Sequence, residues 1–220
     1  MTQHDLPAPG SSPRTRVRRF PEKSVADRDV LHAVLDAGLV AQVAVVDDDG
    51  QPFVVPVAYA RDGERVLFHG STGSRLFRSL ATGAPTCLTV TLLDGLVLAR
   101  SSFESSMNYR SAMVLGSCTV LEGDDKERAL RVISDHLLPG RWDDIRPPSR
   151  KELAATLVLA LSLDEASGKI SAGPPEDAEE DVDRPVWGGV VPIVETFGAP
   201  EPDELGAAYP TPAYLETWTR

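Results

Sequence analysis

The feature that most limits what this 220-residue chain can become is its rhythm of short apolar runs, rich in β-branched residues and closed by breaks such as Asp-Gly. Leu39 to Val46 is apolar almost throughout and stops at Asp47-Asp48-Asp49-Gly50. Phe53 to Ala60 follows, then Asp62-Gly63, then Val66 to His69. Turn chemistry of this kind predicts a meander of antiparallel strands. Further strands are expected over Thr86 to Leu92, Leu96 to Arg100, Ser111 to Leu121 and Thr156 to Leu163, the last convincing one. Some six strands in close succession favour a mainly β fold, a small antiparallel barrel with a few helices, over an α/β sandwich.

Helices are few. Ser24 and Asp27 read as an S-x-x-D capping box opening a helix with Val30, Leu31, Val34 and Leu35 on one face, ended by Gly38. A short helix is expected over Ser74 to Leu80, stopped by Gly83 and Pro85. Asp124 is expected to cap a third helix with Leu130, Ile133 and Leu137 on its apolar face, and residues 149–155 read as a fourth. Residues 1–15, with Pro7, Pro9, Gly10 and Pro13, read as a loose arm. The barrel domain is expected over 16–172. Residues 173–220 form a proline-rich, acidic extension that lies along the barrel or a partner subunit, because Trp187 and Trp218 suit burial better than free solvent.

Charge narrows the function. The formal net charge is −11, yet residues 1–171 carry 22 acids and 20 bases, so the acidity belongs to the extension, centred on Glu176 to Asp183. That run reads as a solvated loop. An acidic balance argues against nucleic acid, although one basic cluster exists: Arg14, Arg16, Arg18, Arg19, Lys23 and Arg28. No apolar run approaches the roughly 20 residues that span a bilayer, and the N-terminus lacks the apolar core of a secretory signal. Cys87 and Cys118 sit in apolar runs without C-x-x-C spacing, which suits buried thiols in a reducing cytoplasm. His4, His32, His69 and His136 are too scattered for a metal motif, so no bound metal is expected from spacing. Neither a nucleophile elbow, a P-loop nor a dinucleotide fingerprint is present.

What remains is the junction His69-Gly70-Ser71-Thr72-Gly73-Ser74-Arg75, which leaves a strand, crosses two glycines and enters a helix. Free N–H groups at a helix start, with Arg75 and Arg78, suit a phosphate monoester. The same residues also suit an ordinary turn with Ser71 or Thr72 as N-cap. His69 reads equally as a ligand contact or as a histidine bonded within the fold. A second cluster, Asn108-Tyr109-Arg110-Ser111, could equally be a surface ion pair and a barrel lid.

Taken in order, these pieces resemble a known family. Asp49-Gly50-Gln51-Pro52 leads to Val55-Pro56-Val57. Phe68-His69-Gly70-Ser71 and Gly73-Ser74-Arg75 come next, then Tyr109-Arg110-Ser111 with Gly116. Lys169-Ile170, Gly173-Pro174-Pro175 and Pro185-Val186-Trp187-Gly188-Gly189-Val190 close the series. The chain is similar to the pyridoxamine 5'-phosphate oxidase-like flavoproteins over about residues 16–215, and most to the branch holding the nitroimidazole-resistance proteins. The resemblance implies a six-stranded FMN-binding split barrel, paired as a homodimer with FMN in each interface cleft. It places the backbone of Val54, Val55, Pro56 and Val57 beside the isoalloxazine. Arg75 falls at the phosphate, with His69, Gly70, Ser71 and Ser74 near it. Arg110 and Ser111 reach over from the other subunit, and Trp187 lies against the flavin. At Ser171 the chain departs from relatives that carry an arginine. The implied activity is redox chemistry on a small organic molecule, with NAD(P)H as candidate donor and no nucleic acid or membrane partner. A flavin carrier or sensor, or a barrel using deazaflavin or haem, are the alternatives.

Overall fold

The computed structural model describes residues 6–47 and 49–219. Among the positions discussed above, His4, Asp48 and Arg220 lie outside the described residues. Ten strands join in one antiparallel sheet, mainly β as expected but with more strands than six. They are β1 (Ser24–Val25), β2 (Val40–Val46), β3 (Pro52–Asp62), β4 (Arg65–Ser71), β5 (Pro85–Leu98), β6 (Ser106–Ser117), β7 (Thr119–Val120), β8 (Thr156–Ser162), β9 (Glu165–Ser171) and β10 (Gly189–Pro192). The spatial order is β1-β9-β6-β5-β2-β3-β4-β8-β7, with β10 added beside β5. The sheet curls until Gly116 of β6 lies against Leu161 of β8.

Strand alternation builds the core. On β2, Ala41, Val43 and Val45 are buried while Val40, Gln42 and Val46 are exposed, the period-2 pattern of a sheet with one wet face. Inward residues from eight strands meet α1 (Arg28–Ala37) and α2 (Arg75–Ala81) in the main cluster, around Leu31, Leu35, Tyr59, Phe68, Phe77, Leu88 and Leu161. A second cluster joins the other face of β4 and β8, through Leu67, Val158 and Ala160, to Ala129 and Ile133 of α3 (Gly123–Leu137). Leu130 and Leu137 flank it, as the periodicity predicts. Inside the main core the Tyr59 hydroxyl donates to Leu35 O at 2.5 Å, so the one polar atom of that buried ring is satisfied. Cys118 is buried and Cys87 half-buried; burial pushes the Cys118 thiol up to about 12, which leaves it unreactive.

Several expectations need correction. The helix cap is Asp27, whose carboxylate accepts the Asp29 N–H at 2.8 Å. Ser24 is not part of it, because strand pairing with Lys169 takes Ser24 into β1. Glu122, not Asp124, precedes α3. Thr86 to Leu92 and Leu96 to Arg100 are one strand, β5, with a bulge at Asp94 where a turn was expected. β6 starts at Ser106, five residues earlier than expected, and ends at Ser117 before the separate β7. β9 follows the supposed last strand and sits between β1 and β6. The capping box of α4 (Arg150–Ala154) is complete, with Ser149 and Glu152 bonded to each other's backbone.

Within the expected loose arm, Gly10 N–H donates to Ala166 O and Arg14 pairs with Glu165, so residues 10–15 rest on β9. The C-terminal segment runs along the barrel: β10 pairs with β5, and Asp177 accepts both the backbone N–H and the guanidinium of Arg100. Phe197, Tyr214 and Trp218 cluster against Pro139, whose carbonyl accepts the Trp218 indole N–H at 3.0 Å. Trp187, expected to avoid solvent, is 65% exposed. Among the described residues, no helix is long and apolar enough to cross a membrane.

Candidate cofactor-binding site

The sheet comes apart at one place. β3 pairs with β2 along Pro52–Ala58 but with β4 only through Tyr59–Asp62. β4 continues to Ser71 on β8 alone. From Phe53 to Ala58, therefore, the β4-facing edge of β3 has no strand partner, and its N–H and C=O groups border an opening. Along this stretch Val54 and Pro56 are exposed and Val55 and Val57 turn inward.

The β4–α2 turn stands across that opening. The Ser71 hydroxyl accepts the Gly73 N–H at 3.1 Å, and Ser74 N–H donates to Ser71 O at 3.0 Å. The helix cap is Ser74, rather than Ser71 or Thr72, and its hydroxyl makes no capping bond. Gly70 has a packing reason for its identity: a Cβ there would lie 2.3 Å from the Phe77 ring. Arg75 is two-thirds exposed, its guanidinium 4.2 Å from the centroid of Phe53 and 3.9 Å from Asp47. Phe53 thus holds Arg75 flat at the start of the bare β3 edge; sequence reasoning missed this support, since nothing local marks Phe53 as more than a core residue.

His69 projects from the opposite face of β4. It shares that face with Leu67, which packs into the second cluster beside Ala60 of β3. By alternation Val54 and Pro56 share it too. His69 is exposed and, among the described residues, makes no hydrogen bond; the protein around the ring lowers its pKa below the ordinary value by desolvation. Near neutral pH the lowered pKa favours the neutral imidazole, whose two nitrogens have no hydrogen-bond partner among the described residues. His32 and His136 are engaged with Glu64 and with Gly38 O.

The remaining predicted residues lie elsewhere. Arg110 and Ser111 are on β6, three strands from β3. Arg110 makes a bidentate pair with Asp94 at the β5 bulge, 2.7 Å at its shortest, which is the surface ion pair weighed above. The Ser111 hydroxyl donates to Lys169 O at 3.3 Å. Trp187 lies over Gly189, next to the far end of β5. One chain therefore brings together Val54–Val57, His69–Ser71, Ser74 and Arg75, and keeps Arg110, Ser111 and Trp187 apart from them. Arg110 also borders a cleft of about 630 Å³ between β5, α3 and the C-terminal segment. Among the described residues no cluster of His, Cys, Asp and Glu could hold a metal ion by itself.

Comparison with known proteins agrees with this architecture. The family model described as pyridoxamine 5'-phosphate oxidase matches residues 27–170. A FAD- and haem-binding protein from Mycobacterium smegmatis is 44% identical, with a TM-score of 0.86, over 90% of this chain and 97% of that one. The flavocytochrome Anf3 from Azotobacter vinelandii is 41% identical, with a TM-score of 0.89, over 96% and 99%. A 5-nitroimidazole antibiotic resistance protein from Bacteroides thetaiotaomicron, described as putative, shares the fold at 22% identity and a TM-score of 0.57 over 67% and 86%. No curated protein matches. The chain belongs to the pyridoxamine 5'-phosphate oxidase-like family of split-barrel proteins.

Proposed function

We propose that the chain is a flavin- and haem-binding redox protein, working as a homodimer on a small organic molecule. The observation that carries this reading is the split between β3 and β4, which lines one opening with Arg75, a bare strand edge and a free neutral imidazole. One relative spanning nearly the whole chain binds FAD and haem and the other is a flavocytochrome, which favours that pair of groups. The flavin is then FAD; FMN, expected from the resemblance, would use the same phosphate contacts.

Bound flavin supplies electron transfer through its ring, and haem through its iron. The chain's own residues bind and orient. The Arg75 guanidinium, held over Phe53, offers charge-assisted N–H bonds to a phosphate. Unpaired N–H groups between Phe53 and Ala58 are positioned to donate to the polar edge of a ring that gains negative charge on reduction. Val54 and Pro56 present an apolar surface to it. His69, without a hydrogen-bond partner among the described residues, would hold the iron of a bound haem through an imidazole nitrogen, whereas His32 and His136 are committed elsewhere. Homodimer formation is supported by the exposed Val40 and Val54 on the outer face of β2 and β3, and by the separation of Arg110, Ser111 and Trp187 from the opening. Two unpaired thiols suit a cytoplasmic setting with NAD(P)H as donor.

The test is the absorption spectrum of purified protein, with the released flavin identified by chromatography. FAD bands with a Soret band are expected, and His69→Ala should remove or shift the Soret band while leaving the flavin. A colourless protein that takes up neither flavin nor haemin overturns the reading, and FMN without a Soret band restores the simpler flavoprotein.

A further inference from the structure

The basic cluster singled out in the sequence has no role in the site above, and the structure divides it. Arg28 is bound to Glu64 and Arg14 to Glu165. The remainder gathers around one ring: Arg19 Cζ lies 5.1 Å and Lys23 Nζ 5.0 Å from the centroid of Phe20. Lys169, from β9 and 149 positions away in the chain, brings its Nζ to 5.5 Å. Two of these ammonium groups are fixed by neutral oxygens. Lys23 donates to the buried Ser171 hydroxyl at 3.0 Å, and Lys169 to Arg19 O at 3.2 Å. None of the three forms an ion pair among the described residues, nor do Arg16 and Arg18 just before them.

The missing carboxylate sets Arg19 apart from most arginines of the described chain. Twelve other arginines sit in ion pairs. In a chain of net charge −11, like charges gathered without a carboxylate repel one another, and an outside anion relieves that repulsion. The backbone adds a second, independent sign. Phe20 has φ 56° and ψ 62° and, among the described residues, is the one non-glycine residue in the left-handed region. An aromatic residue held there, itself 47% exposed, is kept by something other than local preference.

We infer that Arg19, Lys23 and Lys169 around Phe20 form a binding site for the diphosphate of an adenine nucleotide. The three cations more than neutralise the two adjoining phosphates of a dinucleotide, and the half-exposed Phe20 leaves apolar surface for contact with a base. A longer polyanion such as nucleic acid would need a basic surface continued well beyond one ring; the exposed Arg16 and Arg18 extend it by two charges, and Arg14 and Arg28 beyond them are already neutralised. The adenine diphosphate has two sources: the adenylate half of FAD, reaching from Arg75 of a second copy because β9 stands four strands from β3 of its own chain, or a nicotinamide dinucleotide donor. The first rests on the flavin reading; the binding of ADP itself does not.

The experiment is calorimetric titration of ADP and of inorganic pyrophosphate into the full chain, both as purified and after removal of any flavin. ADP is expected to bind in a salt-sensitive manner, and Lys23→Gln or Lys169→Gln to weaken it by about tenfold or more. Phe20→Gly keeps the fold, because glycine accepts φ 56° without strain; it should weaken ADP and leave pyrophosphate unchanged. Binding of ADP to the protein as purified assigns the site to a donor dinucleotide, and binding only after flavin removal assigns it to FAD. The inference is overturned if ADP binds neither form, if it binds the lysine variants as well as the parent, or if single-stranded DNA outcompetes it.

Discussion

Replacing Gly70 by alanine tests how the turn between β4 and α2 holds Arg75. A Cβ at Gly70 would stand 2.3, 2.4 and 2.6 Å from three carbons of the Phe77 ring. That ring cannot step aside. It is 5% exposed, belongs to the main core, and meets Phe68 edge-on at 5.9 Å between centroids. Either α2 must lift from β4 or Phe77 must leave its rotamer. Overpacking of this kind costs about 1–3 kcal/mol, which for a chain of this size lowers the melting temperature by roughly 2–12 °C. Because Arg75 opens the same seven-residue helix, the shift should also weaken flavin binding without removing any contacting group. Melting is best followed by circular dichroism on cofactor-free chains, since bound ligand would itself raise the midpoint. Phe77→Leu supplies the control. It creates space beside residue 70, so the Gly70→Ala/Phe77→Leu chain should be no less stable than Phe77→Leu alone, a coupling of about 0.5–3 kcal/mol. A Gly70→Ala chain that melts with its parent, or strictly additive losses, would refute the packing argument.

Two further outcomes follow from the same opening. Arg75→Ala should weaken flavin binding by about 1.5–3 kcal/mol, roughly ten- to 150-fold; titration of the cofactor-free chain measures it, and unchanged affinity removes Arg75 from the phosphate. Desolvation holds His69 below its ordinary pKa of 6.5, so the folded chain binds fewer protons there than the unfolded one, and the stabilisation present above pH 6.5 is lost as pH falls through the lowered value. His69→Gln should flatten the loss of melting temperature on acidification from about pH 6.5 to 5; equal slopes in parent and variant would assign that loss to other groups.

The sequence makes β2, β3 and β4 legible because alternation and Asp-Gly turns are local signals. β9 escapes for the opposite reason. Glu165–Ser171 is built from small and polar residues of low strand propensity, and it pairs on both edges. Its Gly168 is required by contact with Val25, which a Cβ would meet at 2.8 Å. Tertiary context there outweighs propensity. Asp94-Gly95 has turn chemistry but forms a bulge, since β10 passes close enough that a Cβ on Gly95 would lie 3.0 Å from Val191 O. The site divides in the same way. The phosphate-like turn is legible as a contiguous motif, whereas Phe53 under Arg75, Asp94 on Arg110 and Lys169 beside Phe20 depend on strand register.

Register also decides what one copy of the chain can do. β6 stands three strands from β3, roughly 14 Å at ordinary strand spacing, and Arg110 there is already neutralised by Asp94. Arg110 and Ser111 cannot lie against the same small ring as Val54 and Pro56 of their own chain. A second copy, seated on the outer face that exposes Val40 and Val54, could supply them from outside. It would also cover apolar surface that water now touches. On this reading the split between β3 and β4 leaves a strand edge unpaired because a cofactor and a partner complete it. That accounts for a structural cost that the isolated barrel leaves unexplained.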